Sequence, residues 1–183
     1  MRSTFIVIGV FLLWISIKLC YNEAVVFKFT NAVCQSYNES WVHFNQCRLR
    51  AVNRNRNILN INGTILHPVN DVYLHLQILK RANGYKPWLF NVSLDACRFV
   101  KKAYNPFAKL IFSLFKEFSN FNHSCPYVGT QLVQGFYLRS EILQLVFPSG
   151  DYLLAMTWYF DKKPQFITNV YFVFTEDLSK TSD

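Results

Sequence analysis

The sequence predicts a mainly β protein, an antiparallel β-sandwich of seven or eight strands with one or two short helices and disulfide bonds. Apolar and polar residues alternate along several segments, which is the period of strands with one buried face. A segment that begins at Asn105 has helical spacing instead. Of the 183 residues, 51% are hydrophobic and only 16% are charged, which excludes a disordered chain.

The amino-terminal residues predict export from the cell. Arg2 precedes an apolar run at residues 5–17, which is too short to cross a bilayer core of about 30 Å. This pattern is typical of a secretory signal peptide, here residues 1–20, and leaves residues 21–183 as one domain of a secreted, extracellular protein. The alternative interpretation is an uncleaved membrane anchor, because Lys18 interrupts the apolar run and weakens the cleavage consensus.

Four cysteines remain after residue 20, and an even number suits disulfides in an oxidising compartment. Three pairings are possible. We favour Cys34 with Cys47 and Cys97 with Cys125, because each pair closes a short loop between neighbouring elements. A zinc site is the competing interpretation, but the sequence has no Cys-x-x-Cys motif and no histidine pair at ligand spacing. We expect no metal and no cofactor.

Four Asn-x-Ser/Thr sequons indicate the same compartment. Glycosylation at these positions requires each asparagine to face water, and two of them fall on the polar face of predicted strands. The predicted glycosylation sites are Asn38, Asn62, Asn91 and Asn122.

Alternation predicts strands in both halves of the chain. In the first half they cover residues 25–33, 41–52, 59–65, 71–80 and 88–94. The turn Ala82-Asn83-Gly84 joins the last two of these as a hairpin. In the second half they cover residues 132–138, 152–161 and 165–175. Both faces of the last two strands are largely apolar, so these strands lie centrally or line a cavity.

The helix begins at Asn105-Pro106, a cap followed by proline at the first helical position. Its apolar face is wider than a minimal core stripe. It is therefore either a helix packed on the sheet or the wall of a ligand pocket. Together with two residues of the late strands, the candidate pocket residues are Phe107, Leu110, Ile111, Leu114, Phe115, Trp158 and Phe172.

The sequence offers no catalytic pattern. It has no His-Glu-x-x-His motif, no serine elbow and no glycine-rich phosphate loop. The spacing of the carboxylates Asp95, Glu117 and Glu141 brings no two of them together. We expect no catalytic residues and no enzymatic activity. The net charge of +8 comes from scattered basic residues, so it does not argue for nucleic-acid binding.

One basic run lies on an extended segment and comprises Arg48, Arg50, Arg54 and Arg56. A solvated strand edge is the first interpretation, because cationic edges discourage aggregation between sheets. Attraction to an anionic membrane surface or to a receptor is the alternative.

Further motifs are Phe29-Thr30-Asn31 before Cys34, the run Leu79-Lys80-Arg81-Ala82-Asn83-Gly84-Tyr85-Lys86-Pro87, Asp95-Ala96-Cys97, and Asn122-His123-Ser124-Cys125-Pro126-Tyr127. Together they resemble a large, insect-expanded family of secreted domains without assigned function. More distantly, Cys125-Pro126-Tyr127, Gly129-Thr130 and Pro148-Ser149-Gly150-Asp151-Tyr152 resemble the ganglioside-activator protein and the ML lipid-recognition superfamily. Insect CheB-type chemosensory proteins are similar in this respect.

The ML resemblance implies an immunoglobulin-like sandwich whose two sheets splay apart to hold an acyl chain or another greasy molecule, without catalysis. It also implies the bridge between Cys97 and Cys125, because that superfamily commonly ties the Cys-Pro-aromatic segment to an upstream cysteine. The chain departs from the pattern in its last strand, residues 165–175, which has no cysteine. We expect a secreted binding protein for a lipid or another small hydrophobic ligand, with chemosensation as a candidate role. The alternative is an extracellular protein-interaction module with a solid core.

Overall fold

The computed structural model of the chain describes residues 24–54, 56–139, 142 and 147–177. The strands within these ranges are β1 (Ala24–Ser36), β2 (Val42–Asn53), β3 (Arg56–Val69), β4 (Val72–Arg81), β5 (Tyr85–Asp95), β6 (Tyr127–Phe136), β7 (Gly150–Phe160) and β8 (Lys163–Asp177). The helices are α1 (Ala96–Lys101) and α2 (Pro106–Phe115), and α2 continues into a 3-10 turn, Lys116–Phe118. The predicted signal peptide, residues 1–20, lies outside these ranges. None of the helices inside them has the length and apolar character that a membrane span requires.

The strands form two antiparallel sheets that pack face to face, so the predicted antiparallel β-sandwich with two short helices is confirmed. The larger sheet has the order β1-β8-β7-β4-β5, and the smaller has the order β2-β3-β6. Phe29 and Phe172 of the larger sheet share one buried cluster with Leu59 and Val133 of the smaller sheet. The strands β7 and β8 lie inside the larger sheet, as their two apolar faces indicate.

Short turns set the register of the hairpins in the larger sheet. Asn83 and Gly84 have φ angles of 47° and 96° in the turn between β4 and β5, which is the backbone conformation that glycine and asparagine adopt most readily. This hairpin is therefore confirmed where the sequence predicts it. Asp161 and Lys162 join β7 to β8, and both have positive φ, as a two-residue turn matched to the twist of the strands requires.

The larger sheet has two strands more than the smaller, and the two helices pack on β4 and β5 at its end. Phe99 of α1 and Ala108 of α2 share a buried cluster with Leu94 of β5. The start of α2 is confirmed, because the Asn105 side chain accepts a hydrogen bond from the Ala108 amide at 2.9 Å. Asp95 caps α1 in the same way, accepting from the Arg98 amide at 2.9 Å.

Most strand ends differ from the sequence prediction by a few residues, and the differences at β6 and α2 have a clear structural reason. The strand expected at residues 132–138 begins at Tyr127 and ends at Phe136, because pairing with β3 extends from Leu59 to Val69. The polar side chain of Gln131 interrupts the apolar alternation in the first half of β6, so the sequence pattern does not show where the strand begins. The apolar spacing of the helix continues to Phe118, but the backbone tightens into the 3-10 turn after Phe115.

The structure pairs Cys34 with Cys47 and Cys97 with Cys125, the pairing favoured from the sequence. The first bridge joins β1, an edge strand of the larger sheet, to β2, an edge strand of the smaller sheet. It therefore closes one side of the sandwich covalently. The second bridge ties α1 to the segment that leads into β6.

Candidate functional site

A cavity of about 130 Å³ lies between the two sheets, beneath α2. Phe29 of β1, Leu59 of β3 and Ile111 of α2 contribute three different parts of its wall. Apolar side chains and Gly63 form the wall except at Gln131 and Thr168. The sandwich thus leaves part of its apolar interior unfilled, although protein interiors are normally packed with few voids larger than a water molecule.

Ring contacts at both ends of α2 place its middle over the gap between the sheets. The Phe107 ring stacks on Phe90 of β5 with ring centroids 3.6 Å apart. The Phe115 ring lies 6.3 Å from the ring of Phe136, the last residue of β6. The helix therefore spans from the edge of the larger sheet to the edge of the smaller sheet, on the side opposite the bridge between β1 and β2. Ile111, between these contacts, faces the cavity.

A second cavity, of about 70 Å³, lies between the two helices and the strands β4 and β7 of the larger sheet. The two cavities have part of their wall in common. The shared residues are Ile65, Ile111, Phe115, Phe121, Met156, Trp158 and Phe166. The two spaces are therefore adjacent, with the side chains of this shared wall between them.

The few polar groups at the larger cavity are mostly engaged within the protein. The Trp158 indole Nε1 donates a hydrogen bond to Thr168 Oγ1 at 3.0 Å. The Gln131 side-chain Nε2 donates to the Val128 carbonyl at 3.4 Å. Because so little of the wall is polar, a molecule inside the cavity is bound mainly by the removal of its apolar surface from water.

The volume limits which molecules fit without movement of the protein. A cavity of about 150 Å³ lined by leucine, isoleucine and phenylalanine stays dry and binds benzene. The larger cavity is similar in size and lining at about 130 Å³, so it takes a molecule with the bulk of one aromatic ring. A longer chain requires the second cavity or an outward shift of α2.

The structure brings five of the seven predicted pocket residues to the wall of the larger cavity: Ile111, Leu114, Phe115, Trp158 and Phe172. Phe107 and Leu110 line neither cavity, which corrects their placement in the pocket. The Phe107 ring is occupied by its stack on Phe90. Leu110 is rotated about 100° around the helix axis from Ile111, away from the gap. The ligand role of the other five residues stays a prediction.

The part of the cavity wall that comes from the smaller sheet is not predicted by the sequence pattern. Val42 and Phe44 of β2 and Ile61 of β3 line the cavity opposite α2. Alternation at residues 59–65 marks the apolar face of β3, but the pattern of one strand does not show which element that face meets.

The four sequons differ in exposure. Asn38, Asn91 and Asn122 are exposed, as N-glycosylation requires. Asn62 is half-buried on β3, the central strand of the smaller sheet, where its Oδ1 accepts a hydrogen bond from Asn45 at 3.2 Å. Glycosylation stays a prediction at all four positions.

The predicted basic edge lies on an edge strand. Arg48 and Arg50 are exposed on β2, the outer strand of the smaller sheet, and Arg54 follows it. Arg56 begins β3 and places its guanidinium 4.2 Å from the centre of the Tyr137 ring. An arginine-rich edge of this kind opposes pairing with another sheet.

Within the described ranges, no group of three or more His, Cys, Asp or Glu side chains is arranged to hold a metal ion. Of the carboxylates considered from the sequence, Asp95 is the cap of α1, and Glu117 accepts a hydrogen bond from Arg139 at 3.1 Å. Glu141 lies outside the described residues.

Burial raises the pKa of Tyr127, which lines the second cavity, above its ordinary value of 10.0. The folded protein therefore keeps this proton at a pH where the unfolded chain has released it, and the free energy of unfolding falls as the pH rises above about 10. We expect the Tyr127→Phe variant to lose less stability than the wild type between about pH 9 and 11, measured by urea unfolding.

The same comparison at neutral pH is the control, because both proteins are then uncharged at this position. At neutral pH the two free energies of unfolding differ only by the lost hydrogen bond from the Tyr127 hydroxyl to the His123 carbonyl, which is 2.7 Å long and contributes about 1 kcal/mol. Parallel pH dependence of the two proteins contradicts the prediction.

Fold and site together define a disulfide-bonded antiparallel β-sandwich with an apolar internal cavity. The family model described as "Protein of unknown function (DUF1091)" matches residues 74–154. This match runs from β4 into β7 and includes both helices and the bridge between Cys97 and Cys125. No curated protein matches the chain.

Among solved structures, the crystal structure of a Niemann-Pick type C2 protein from the Japanese carpenter ant is similar to this chain. The comparison has a TM-score of 0.32 and 13% sequence identity, and it covers 81% of this chain and 90% of that chain.

Proposed function

We propose that this protein is a secreted, non-enzymatic binding protein for a small hydrophobic ligand, which occupies the cavity beneath α2. The observation that carries the proposal is the unfilled volume of about 130 Å³ with an almost wholly apolar wall. An apolar guest loses its contact with water on entry and gains roughly 25 cal/mol for each Å² of surface removed. A wall of this kind recognises bulk and shape rather than charge.

The size of the space favours a compact guest. A molecule with one ring fits the larger cavity as it stands, and a short alkyl chain fits along both cavities once the shared wall side chains rearrange. A long acyl chain, which the ML resemblance implies, exceeds both volumes and requires α2 to move outward. We therefore place compact hydrophobic molecules before long-chain lipids.

Export and a chemosensory role are supported by the sequence. The apolar run within residues 1–20 and the four sequons are typical of a secreted protein, and disulfides persist in an oxidising compartment. The resemblance of Cys125-Pro126-Tyr127 to CheB-type proteins supports chemosensation. On this basis the ligand is a chemical signal met outside the cell.

A protein-interaction module with a solid core is less well supported. Such a module should bury a filled interior beside a large exposed apolar patch. Among the described residues, the interior between the sheets is not filled, because the cavity of about 130 Å³ remains beneath α2.

The cavity can be tested by filling it from α2. Ile111 lines both cavities, and in the Ile111→Phe variant a larger ring enters the space that the ligand needs. We expect the wild type to bind toluene in isothermal titration calorimetry, and Ile111→Phe to bind it roughly tenfold more weakly or worse. Val133→Phe, which fills the same cavity from β6, serves as the second variant.

Leu110→Phe is the matched control, because the neighbouring residue lines neither cavity and receives the same new side chain. It should bind toluene as the wild type does. Circular dichroism of all four proteins checks that they are folded. A wild type that binds no toluene, or filled variants that bind it unchanged, contradicts the proposal. Native mass spectrometry of protein secreted from eukaryotic cells then identifies the mass of the natural ligand.

A further inference from the structure

Gln131 is a polar side chain on the inner face of β6. It alternates with Val133 on the face that turns toward the larger sheet, and both residues line the larger cavity. Its exposed fraction is only 6%. Across the smaller sheet it is paired with Gly63 of β3, and the Phe44 ring of β2 lies where a side chain at Gly63 would be. A glutamine is thus held at the wall of an apolar cavity.

The two ends of this amide are not equivalent. Nε2 donates a long hydrogen bond to the Val128 carbonyl at 3.4 Å, and this contact favours the present orientation of the amide, because the opposite orientation would place two oxygens together. Oε1 is buried and has no hydrogen-bond partner among the described residues. Buried polar atoms in proteins nearly always have a partner, so an acceptor without one at a cavity wall requires an explanation.

Water inside the cavity does not supply that partner well. A buried water typically makes about three hydrogen bonds to protein groups. Besides Gln131, the polar side-chain groups at this wall are the Thr168 hydroxyl and the Trp158 indole N–H, and these two are bonded to each other at 3.0 Å. A donor carried in by an otherwise apolar guest needs only one acceptor, and Gln131 provides one when its side chain turns so that the buried Oε1 faces the cavity.

We propose that the ligand carries a hydroxyl group, and that this hydroxyl donates a hydrogen bond to Gln131 Oε1. The proposed class is a compact apolar alcohol or phenol, whose hydrocarbon part fills the cavity. This inference rests on the proposed function, because it assumes that the cavity is the binding site. Gln131 selects among hydrophobic molecules of equal size, which the apolar wall cannot do.

Phenol and toluene test this directly, because they have nearly the same shape and differ in one donor. Their dissociation constants are measured by calorimetry with the wild type and with Gln131→Met, which keeps the length of the side chain and removes the acceptor. We expect the affinity for phenol relative to toluene to be about tenfold higher in the wild type than in the variant. Toluene, which carries no donor, is the reference ligand within each protein, so the ratio removes any change in the shape of the cavity.

The outcomes separate the two proposals. Toluene binding with the same phenol-to-toluene ratio in both proteins overturns the role of Gln131 and leaves the proposed function standing. No toluene binding to the wild type overturns the proposed function, and this inference with it. If Gln131→Met does not fold, NMR of the wild type decides, because both rings shift the Gln131 side-chain amide signals by their ring currents, and phenol should add a further shift from its hydrogen bond to Oε1. Equal shifts with both molecules overturn the inference.

Discussion

Replacement of Tyr152 by alanine is expected to lower the free energy of unfolding by about 3–5 kcal/mol, a large part of the stability of a typical domain. Tyr152 has no exposed surface. Its ring stacks on Phe172 with centroids 5.3 Å apart and lies 5.2 Å from both Trp88 and Phe147. Removal of the ring leaves a hole in the middle of this aromatic cluster, which the surrounding strands cannot close.

Tyr152→Phe is the matched control for this prediction. It keeps the ring and loses only the hydrogen bond from the hydroxyl to the Pro148 carbonyl, so its effect should be about 1 kcal/mol. Urea unfolding followed by tryptophan fluorescence measures both variants. Equal losses in the two variants show that the hydroxyl, and not the packing of the ring, supports this part of the core.

Removal of the bridge between Cys97 and Cys125 is the second large effect. Replacement of both cysteines by alanine should lower the free energy of unfolding by about 3.5 kcal/mol, because the unfolded chain without the bridge has more conformational entropy. The bridge between Cys34 and Cys47 closes a shorter loop, with a sequence separation of 13 rather than 28, and its removal should cost about 3 kcal/mol.

Comparison of the two double variants under the same denaturant series tests both values. Mass spectrometry with and without a thiol reagent confirms that the remaining bridge is intact in each variant. The wild type fully reduced should be less stable than either variant. A loss below about 1 kcal/mol for Cys97→Ala with Cys125→Ala, against the range of 2–5 typical of native bridges, refutes the prediction.

The sequence pattern predicted the elements that are determined by residues close together in the chain. The hairpin of β4 and β5 follows from alternation on both sides of Asn83-Gly84, and the turn itself takes the positive φ angles that these two residues favour. The start of α2 follows from the Asn105 cap and Pro106. In both cases a few neighbouring residues carry the whole signal.

The cavity was only partly predictable because it depends on contacts between distant segments. Ile111 on the helix and Trp158 on β7 could be proposed as wall residues from their apolar faces. Val42 could not, because nothing in β2 itself shows that it lies opposite α2. Gln131 was missed for a different reason, since the predicted strand began one residue after it and so excluded the polar side chain from the inner face.

The bridge between Cys34 and Cys47 also determines how the molecule can open. It fixes the separation of the two sheets at the edge formed by β1 and β2. At the opposite edge, formed by β5 and β6, α2 connects the two sheets through ring contacts. Phe107 contacts Phe90 and Phe115 contacts Phe136, and such contacts are individually weak. We therefore expect a guest larger than the resting cavity to enter by an outward shift of α2, while the disulfide keeps β1 and β2 together.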